Sequence, residues 1–285
     1  MSDLIIGTIH TMEVLRKIDT GYVLIKDMKE VLLHHNETTD ELEENQEVDV
    51  FLYTDKKGQV IATTKLPTVE RDTFGWVEVV EVVKNLGVFV NIGTTKEMLV
   101  STDDLPIYEN VWPAVEDKLY VTLGTDRKGR LLALPASEGI IEMQCVDAPV
   151  EALNQTLHGR VYRTSREGTV ILTEENYRGF VHHTERKTEP RLGEWVKARV
   201  IEVKTDGSLN MSLRPLKQHG MIEDADVILQ RLEENNGVIP FSDKSDPDDI
   251  LGTFNISKSA FKRALGKLMK EGKIEQHDGE THLKK

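Results

Sequence analysis

The sequence is poor in cysteine, poor in aromatic residues and free of long apolar runs. Cys145 is the only cysteine among 285 residues, which excludes an intrachain disulfide and a thiolate-rich zinc or iron–sulfur site. Its neighbours Gln144 and Val146 indicate a packed segment, so we do not expect a catalytic thiol there. No apolar run approaches the roughly 18 residues of a membrane span, and no basic leader with an apolar stretch opens the chain. These absences predict a soluble, cytoplasmic protein without a membrane partner.

Catalytic motifs are also lacking. The sequence has no phosphate-binding loop, no paired His-x-x-x-His helix and no Gly-x-Ser-x-Gly turn for a nucleophile. We therefore expect a protein that is not an enzyme, has no catalytic residues and needs no cofactor.

Acidic residues outnumber basic ones by 49 to 36, and the formal net charge is −13. Binding of phosphates depends on local patches, however, and not on the total charge. Residues 157–217 carry 12 basic and 8 acidic side chains, residues 254–285 carry 8 and 4, and residues 135–156 carry 4 acidic side chains and no basic ones. The chain thus has two basic segments in an acidic background.

A pattern of short strands and glycines occurs three times before residue 217. Each copy opens with a glycine-containing strand, at Gly7–His10, Gly75–Glu78 and Gly159–Tyr162. A further glycine begins the second strand, at Gly21, Gly87 and Gly168. The third strand ends in His34-His35, Ser101-Thr102 or His182-His183. The closing hairpins have their turns at 54–58, 125–129 and 205–207, where Asp and Gly supply the unusual backbone angles.

Five short alternating strands in about 65 to 75 residues favour a small closed barrel of the oligonucleotide-binding type. The alternation is visible in Val48–Tyr53 and Val196–Val203. We predict three tandem five-stranded barrels, at 1–66, at 67–145 with a trailing linker, and at 146–217.

After residue 217 the pattern becomes helical. Apolar residues recur at three- and four-residue spacing over 221–234, at Met221, Ala225, Ile228, Leu229 and Leu232. A strand at 238–241, a helix begun by Asp246 and Pro247, a helix capped by Ser257 and a hairpin with an Asp278-Gly279 turn follow. This order predicts a winged-helix domain at 218–285. The expected fold class is mostly β and multidomain, with an α/β domain at the end.

The ordered motifs resemble the RNA-binding repeat of ribosomal protein S-one, best in the third copy through Gly179–His182, Gly193–Val196 and Asn210–Arg214. Three such barrels followed by a winged helix resemble the conserved virulence factor B family of bacterial RNA-binding proteins over nearly the whole chain. The resemblance implies RNA binding and regulation of gene expression without catalysis.

Barrels of this type stack bases on exposed rings while basic side chains follow the backbone. The resemblance implies aromatics on the second strand, a His at the end of the third, and an Asp and an Arg around the last hairpin. The matching residues are His34 and Asp55, with Tyr22 nearby, in the first barrel, Phe89, Asp126 and Arg130 in the second, and Phe180 and His182 in the third. No copy has the full set, because Gln59, Leu86, Ser101, Thr169 and Val170 occupy the other positions. This predicts weak sites that add along the array.

Structural roles remain as alternatives for these residues. Phe180 and Tyr22 fit core packing as well as stacking, whereas Phe89 favours stacking. Asp126 fits the role of an ordinary turn former. Neighbouring histidines point to opposite faces of a strand, which disfavours a metal site.

Charge favours the third barrel as the main surface for the nucleic-acid backbone, since arginine both hydrogen-bonds phosphate and stacks on bases. Its basic residues are Arg160, Arg163, Arg166, Arg178, Arg186, Lys187, Arg191, Lys197, Arg199 and Arg214. The winged helix adds Lys258, Lys262, Arg263, Lys267 and Lys270 on its third helix. The alternatives are a solvated basic surface and a helix that packs on another domain or protein.

We expect single-stranded or unstructured RNA as the partner. A transcription regulator that reads duplex DNA with the winged helix, and an accessory subunit of a ribonuclease, are the competing hypotheses. A protein partner in RNA metabolism fits the second of these.

Overall fold

A computed structural model describes residues 4–55, 58–215 and 217–284, with the backbone alone described for 217–223. Lys56 and Lys57 of the first predicted hairpin turn, and the side chain of Met221, lie outside this description. The chain divides into two compact units, Met1–Leu213 and Arg214–Lys285. No helix in the described part of the chain is long and apolar enough to cross a membrane.

The first barrel is closed, with strand order β1-β2-β3-β5-β4. Its strands are β1 (Ile9–Ile18), β2 (Gly21–Lys26), β3 (Lys29–His34), β4 (Glu47–Thr54) and β5 (Val60–Thr63). The inward faces of these alternating strands form one apolar core that contains Met12, Leu24, Leu33 and Leu52. A parallel pairing of β3 with β5 closes the barrel.

The second barrel has the same order of strands as the first, but the ladder that closes the first barrel has no counterpart in the described residues. It consists of β6 (Gly75–Val83), β7 (Gly87–Asn91), β8 (Met98–Ser101), β9 (Lys118–Thr125) and β10 (Leu131–Pro135). These strands form a five-stranded sheet in the order β10-β9-β6-β7-β8, and in residues 58–215 no ladder joins β8 to β10. A short helix, α1 (Glu138–Glu142), follows β10.

The third barrel is closed in the order β11-β12-β13-β15-β14. Its strands are β11 (Thr156–Thr164), β12 (Gly168–Thr173), β13 (Arg178–His182), β14 (Trp195–Val203) and β15 (Leu209–Ser212). The predicted class, mostly β and multidomain with oligonucleotide-binding barrels, is therefore confirmed.

The second-strand glycines occupy equivalent places and share one physical cause. A Cβ at Gly21 or Gly87 would lie 2.0 Å from the carbonyl oxygen of Leu33 or Val100 on the third strand, and one at Gly168 would lie 2.3 Å from that of Val181. Strands two and three approach too closely there for any side chain.

The opening glycines are not equivalent, so that part of the repeat alignment is wrong. The first strand of every barrel has a bulge, after Val14, Val79 and Val161, and the glycines lie at different distances before it. Gly7 precedes its strand in a turn with φ of 88°, whereas Gly75 begins β6 and Gly159 lies inside β11. Glycine is suited to each of these positions for a different reason, and the residue type alone does not distinguish the three reasons.

Barrels one and two share an apolar core. Phe51, Tyr53 and Ile61 of β4 and β5 pack with Val69 and the interior of the second barrel, and Phe51 is completely buried. The Glu70 carboxylate adds a polar link by accepting a hydrogen bond from the Ile9 amide at 2.7 Å. Both faces of β4 are therefore covered at its carboxyl end.

Barrels two and three are joined by polar contacts. Asp117 accepts two hydrogen bonds from the guanidinium of Arg191, at 2.9 Å and 3.2 Å. Backbone hydrogen bonds from Lys118 to Gly193 and from Leu192 to Val111 run beside this ion pair.

The second unit has the predicted winged-helix order. Its elements are α2 (Lys217–Glu234), β16 (Val238–Ile239), α3 (Pro247–Phe254), α4 (Lys258–Lys270), β17 (Ile274–His277) and β18 (Glu280–Leu283). Asp246 and Ser257 cap α3 and α4 through their side chains, as their positions in the sequence predict. Asp278 and Gly279 have φ values of 50° and 88°, which suit a two-residue hairpin turn.

Candidate nucleic-acid interface

The outer face of β12 and β13 in the third barrel contains the most complete stacking pair. Phe180 lies opposite Val170, and His182 lies opposite Gly168, so both side chains project from the same face of β13. Their ring centroids are 6.4 Å apart and the planes are inclined by 65°. Phe180 is half-buried and His182 is exposed. Glycine at 168 leaves room for the Phe180 ring, because a Cβ there would lie 2.6 Å from its Cζ atom.

His182 also caps the turn that follows β13. Its Nδ1 atom accepts a hydrogen bond from the Thr184 amide at 3.4 Å and lies 2.8 Å from the Thr184 hydroxyl. The His182 and His183 rings are only 4.1 Å apart. In the described residues, no group of three or more His, Cys, Asp or Glu side chains is placed to hold a metal ion.

The equivalent face of the second barrel carries Phe89 opposite Leu99, both half-buried. Asp126 belongs to the closing hairpin, where Oδ1 accepts hydrogen bonds from the Lys128 and Arg130 amides at 2.8 Å and 2.9 Å. Arg130 pairs with the other carboxylate oxygen at 2.7 Å. These hydrogen bonds, first that of the Arg130 amide, hold the pKa of Asp126 below its usual value. Asp126 thus shapes the turn and orients the exposed Arg130.

Tyr22 in the first barrel is a core residue, and this corrects its assignment to a stacking site. Its side chain is 2% exposed, and its hydroxyl accepts a hydrogen bond from the Leu42 amide at 3.2 Å. A ring buried to this extent offers no face to a base. His34 is half-buried at the end of β3.

Several arginines of the third barrel are paired with carboxylates. Glu138 of α1 bridges Arg163 and Arg178, and Glu142 lies 3.2 Å from the Nε atom of Arg178. Burial, partly offset by the Arg178 charge, raises the pKa of the adjacent Tyr162 hydroxyl to about 12. Carboxylates therefore occupy hydrogen-bond donors of both Arg163 and Arg178, although the Arg163 side chain remains 53% exposed. Acidic residues of the linker 135–156 thus neutralise part of the positive charge of the third barrel. Charge counts along the sequence treat these two segments separately.

Arg186 of this barrel is also paired, with Glu189 at 2.9 Å, and its side chain is buried. Four other cations are more accessible. In the part of the chain that the structure describes, no carboxylate partner is found for Arg166, Lys187, Lys197 and Arg199. Arg199 is half-buried, whereas the other three are exposed. Arg214 is exposed at the start of the second unit.

Trp195 is a surface aromatic that the sequence reasoning did not select. It is 44% exposed on the outer face of β14, opposite Arg160 of β11. The guanidinium carbon of Arg160 lies 4.9 Å from the centre of the indole. The signal was present in the alternation of 195–200, which places Trp195, Lys197 and Arg199 on one face and apolar residues on the other.

In the winged helix, α4 presents Lys262 and Arg263 to solvent near its amino end. Among the residues described here, neither has a carboxylate partner. Lys258 is half-buried and donates to the Lys244 carbonyl at 3.4 Å, while Lys267 lies 3.8 Å from Glu271. The apolar face of α4, with Phe261 and Leu265, is turned into the core. The exposed cations therefore lie on the face opposite the core.

Cys145 is half-buried, and its thiol lies 3.5 Å from the Ile141 carbonyl oxygen. Burial raises its pKa above the usual value, so little thiolate is present near neutral pH.

Family models match the chain along most of its length. An S1 domain matches residues 6–65, the first S1-like domain of CvfB matches 74–134, the second domain of the virulence regulatory factor CvfB matches 142–215, and a CvfB-like winged helix domain matches 226–283. These are nucleic-acid-binding domain types and not catalytic families.

Relatives match over the whole length. The uncharacterized protein YitL of Bacillus subtilis is 48% identical over 275 residues, which cover 96% of this chain and 92% of that protein. Conserved virulence factor B of Staphylococcus haemolyticus is 37% identical and covers 99% of this chain, with 95% of its own length matched. A crystal structure of a Streptococcus pneumoniae multidomain protein with nucleic acid binding domains has a TM-score of 0.64 at 39% identity, with 98% of each chain covered.

Proposed function

The chain belongs to the conserved virulence factor B family, and from this membership and the geometry of its surfaces we propose that it binds single-stranded RNA without catalysing a reaction. The third barrel and the winged helix provide the main contacts, and the first two barrels are auxiliary contacts or spacers. We also propose four domains, with the limits 1–66, 67–145, 146–217 and 218–285. The function is the regulation of gene expression in the cytoplasm through the bound RNA.

The observation that carries the proposal is the pairing of Phe180 with His182 on the outer face of β12 and β13. Ring faces on this part of an oligonucleotide-binding barrel stack on unpaired bases, which a duplex does not expose. The exposed Arg166 and Lys187 supply positive charge on the same barrel. The names of the relatives, a virulence factor and a virulence regulatory factor, support a regulatory role.

The test is a fluorescence-anisotropy titration of the full chain with a labelled unstructured RNA of about 15 nucleotides and with a DNA duplex of equal length. We expect RNA binding at micromolar concentration or tighter, with affinity that falls steeply as salt rises because phosphate contacts release counterions. Equal or stronger binding of the duplex would contradict the RNA proposal. RNA shortened by repurified protein in magnesium would contradict the absence of catalysis.

Lys262 and Arg263 favour a second candidate, a transcription regulator that reads duplex DNA, because exposed cations near the amino end of such a helix contact nucleic acid. The double variant Lys262→Glu, Arg263→Glu separates the two candidates, with Lys270→Glu at the other end of α4 as the matched control. The proposal expects weaker RNA binding by the double variant and a smaller effect of the control. A loss of duplex DNA binding with unchanged RNA binding would favour the transcription regulator.

A further inference from the structure

A second surface of the third barrel combines aromatic and basic groups, on the outer face of β11 and β14. Trp195 is 44% exposed there. His158 and Arg160 of β11 project from the same face, because His158 pairs with Lys197 and Arg160 pairs with Trp195 across the two strands. This ribbon is distinct from β12 and β13, which carry Phe180 and His182.

The rings of His158 and Trp195 are nearly parallel on this surface, and the guanidinium of Arg160 lies against the indole. His158 and Trp195 have centroids 6.4 Å apart and planes only 10° from parallel. The guanidinium of Arg160 lies 4.9 Å from the indole centre, and its Nη1 atom donates to the Gly193 carbonyl at 3.1 Å. A planar cation beside two parallel rings forms a preorganised stacking platform.

The basic residues around the platform favour a polyanion as its ligand. Lys197 is exposed directly across from His158, and Arg199 continues the same face of β14. The Nε atom of Arg199 is buried without a hydrogen-bond partner in the described structure. Two carboxylates, Asp117 and Glu78, act on the charge of Arg160, and Asp117 is already paired with Arg191.

We propose that this surface is a second binding site for single-stranded RNA, with Trp195 stacking on a base and Lys197 and Arg199 contacting phosphates. The inference rests on the proposed function and extends it to another face of the same barrel. Strand β11 lies between β12 and β14 in the barrel, and neighbouring strands are about 4.8 Å apart. An oligonucleotide bound on β12 and β13 therefore reaches the platform within a few nucleotides.

The test compares full-chain variants in the anisotropy titration with a 15-nucleotide oligouridine. Trp195→Ala is expected to weaken binding by about 5- to 100-fold, the range for loss of one stacked base. Trp195→Phe retains a ring and is expected to keep most of the affinity. Ile201→Ala removes an exposed apolar side chain from the same strand, and is expected to bind RNA like the unchanged chain. Circular dichroism checks that each variant is folded.

Lys197→Glu provides a measurement that does not depend on the indole. We expect weaker binding. The slope of log affinity against log salt concentration should fall by about one, since one phosphate contact is lost. If Trp195→Ala and Lys197→Glu both bind like the unchanged chain while Phe180→Ala binds weakly, the second surface is refuted and the proposed function stands. If the unchanged chain binds no RNA, both are refuted. If the Trp195 variants lose a protein partner but no RNA affinity, the surface is a protein-docking site and the inference is wrong.

Discussion

At the scale of single residues, exposure separates the rings that are available to a base from those that hold a barrel together. Phe180 and Tyr22 are both aromatic residues on alternating strands, and sequence allows either role for each. The structure leaves Phe180 half-buried beside an exposed histidine, whereas it buries Tyr22 to 2% exposure in the first core. The two residues should therefore respond differently to substitution.

We predict that Phe180→Ala weakens binding of single-stranded RNA by about 5- to 100-fold, because a base loses its stacking partner. Tyr22→Phe keeps the ring but removes the hydroxyl that accepts from Leu42, so it should lower the free energy of unfolding by about 1 kcal/mol and leave RNA affinity unchanged. Anisotropy titrations and urea unfolding measure the two effects. An RNA defect in Tyr22→Phe with normal stability would show that the first barrel binds through this residue.

At the scale of elements, the short helix α1 controls how much positive charge the third barrel presents. Glu138 contacts Arg163 and Arg178, and Glu142 contacts Arg178. Carboxylates placed on arginines compete with the phosphates of a nucleic acid for the same hydrogen-bond donors. The helix therefore reduces the electrostatic attraction of this face for the phosphates of a nucleic acid.

We predict that the double variant Glu138→Gln, Glu142→Gln binds single-stranded RNA about two- to fivefold more tightly at low salt, because the arginine charges are released. The free energy of unfolding should fall by about 1 kcal/mol or less, since the pairs are partly exposed. Glu151→Gln, an exposed residue in the same linker, is the matched control and should change neither quantity. Equal affinities for both variants would show that α1 does not shield the barrel.

At the scale of the molecule, the barrels within the first unit are physically coupled. Phe51 of the first barrel is completely buried in a core that belongs mainly to the second. The ion pair of Asp117 with Arg191 then joins the second barrel to the third. A shared apolar core makes unfolding of the first two barrels a joint event.

We predict that Phe51→Ala lowers the free energy of unfolding by about 3 to 5 kcal/mol, because a large ring is removed from a closed core. In a Trp195→Phe background the remaining tryptophans, Trp76 and the buried Trp112, both lie in the second barrel. The urea transition of their fluorescence should shift together with the circular dichroism signal. Val82→Ala, at a site 39% exposed, is the control and should shift the transition little. An unchanged tryptophan transition in Phe51→Ala would show that the barrels unfold independently.

The amino-acid sequence by itself determined the order of the barrel strands and of the winged-helix elements, but not the short helix α1, which lies where a linker was predicted. The hairpin turns and the caps at Asp246 and Ser257 depend on neighbours in the chain, so local chemistry was sufficient to predict them. The second-strand glycines are visible as a repeat in the sequence, but their cause is the close approach of the third strand. Only the tertiary structure decided which charged side chains and which aromatic rings remain available to contact a nucleic acid. The pairing of Glu138 with Arg178, the burial of Tyr22 and the approach of Arg160 to Trp195 join residues that are distant in sequence or set on different strands. Their positions follow from how strands curve into a barrel and how a linker packs on it, which no count of charges along the chain contains.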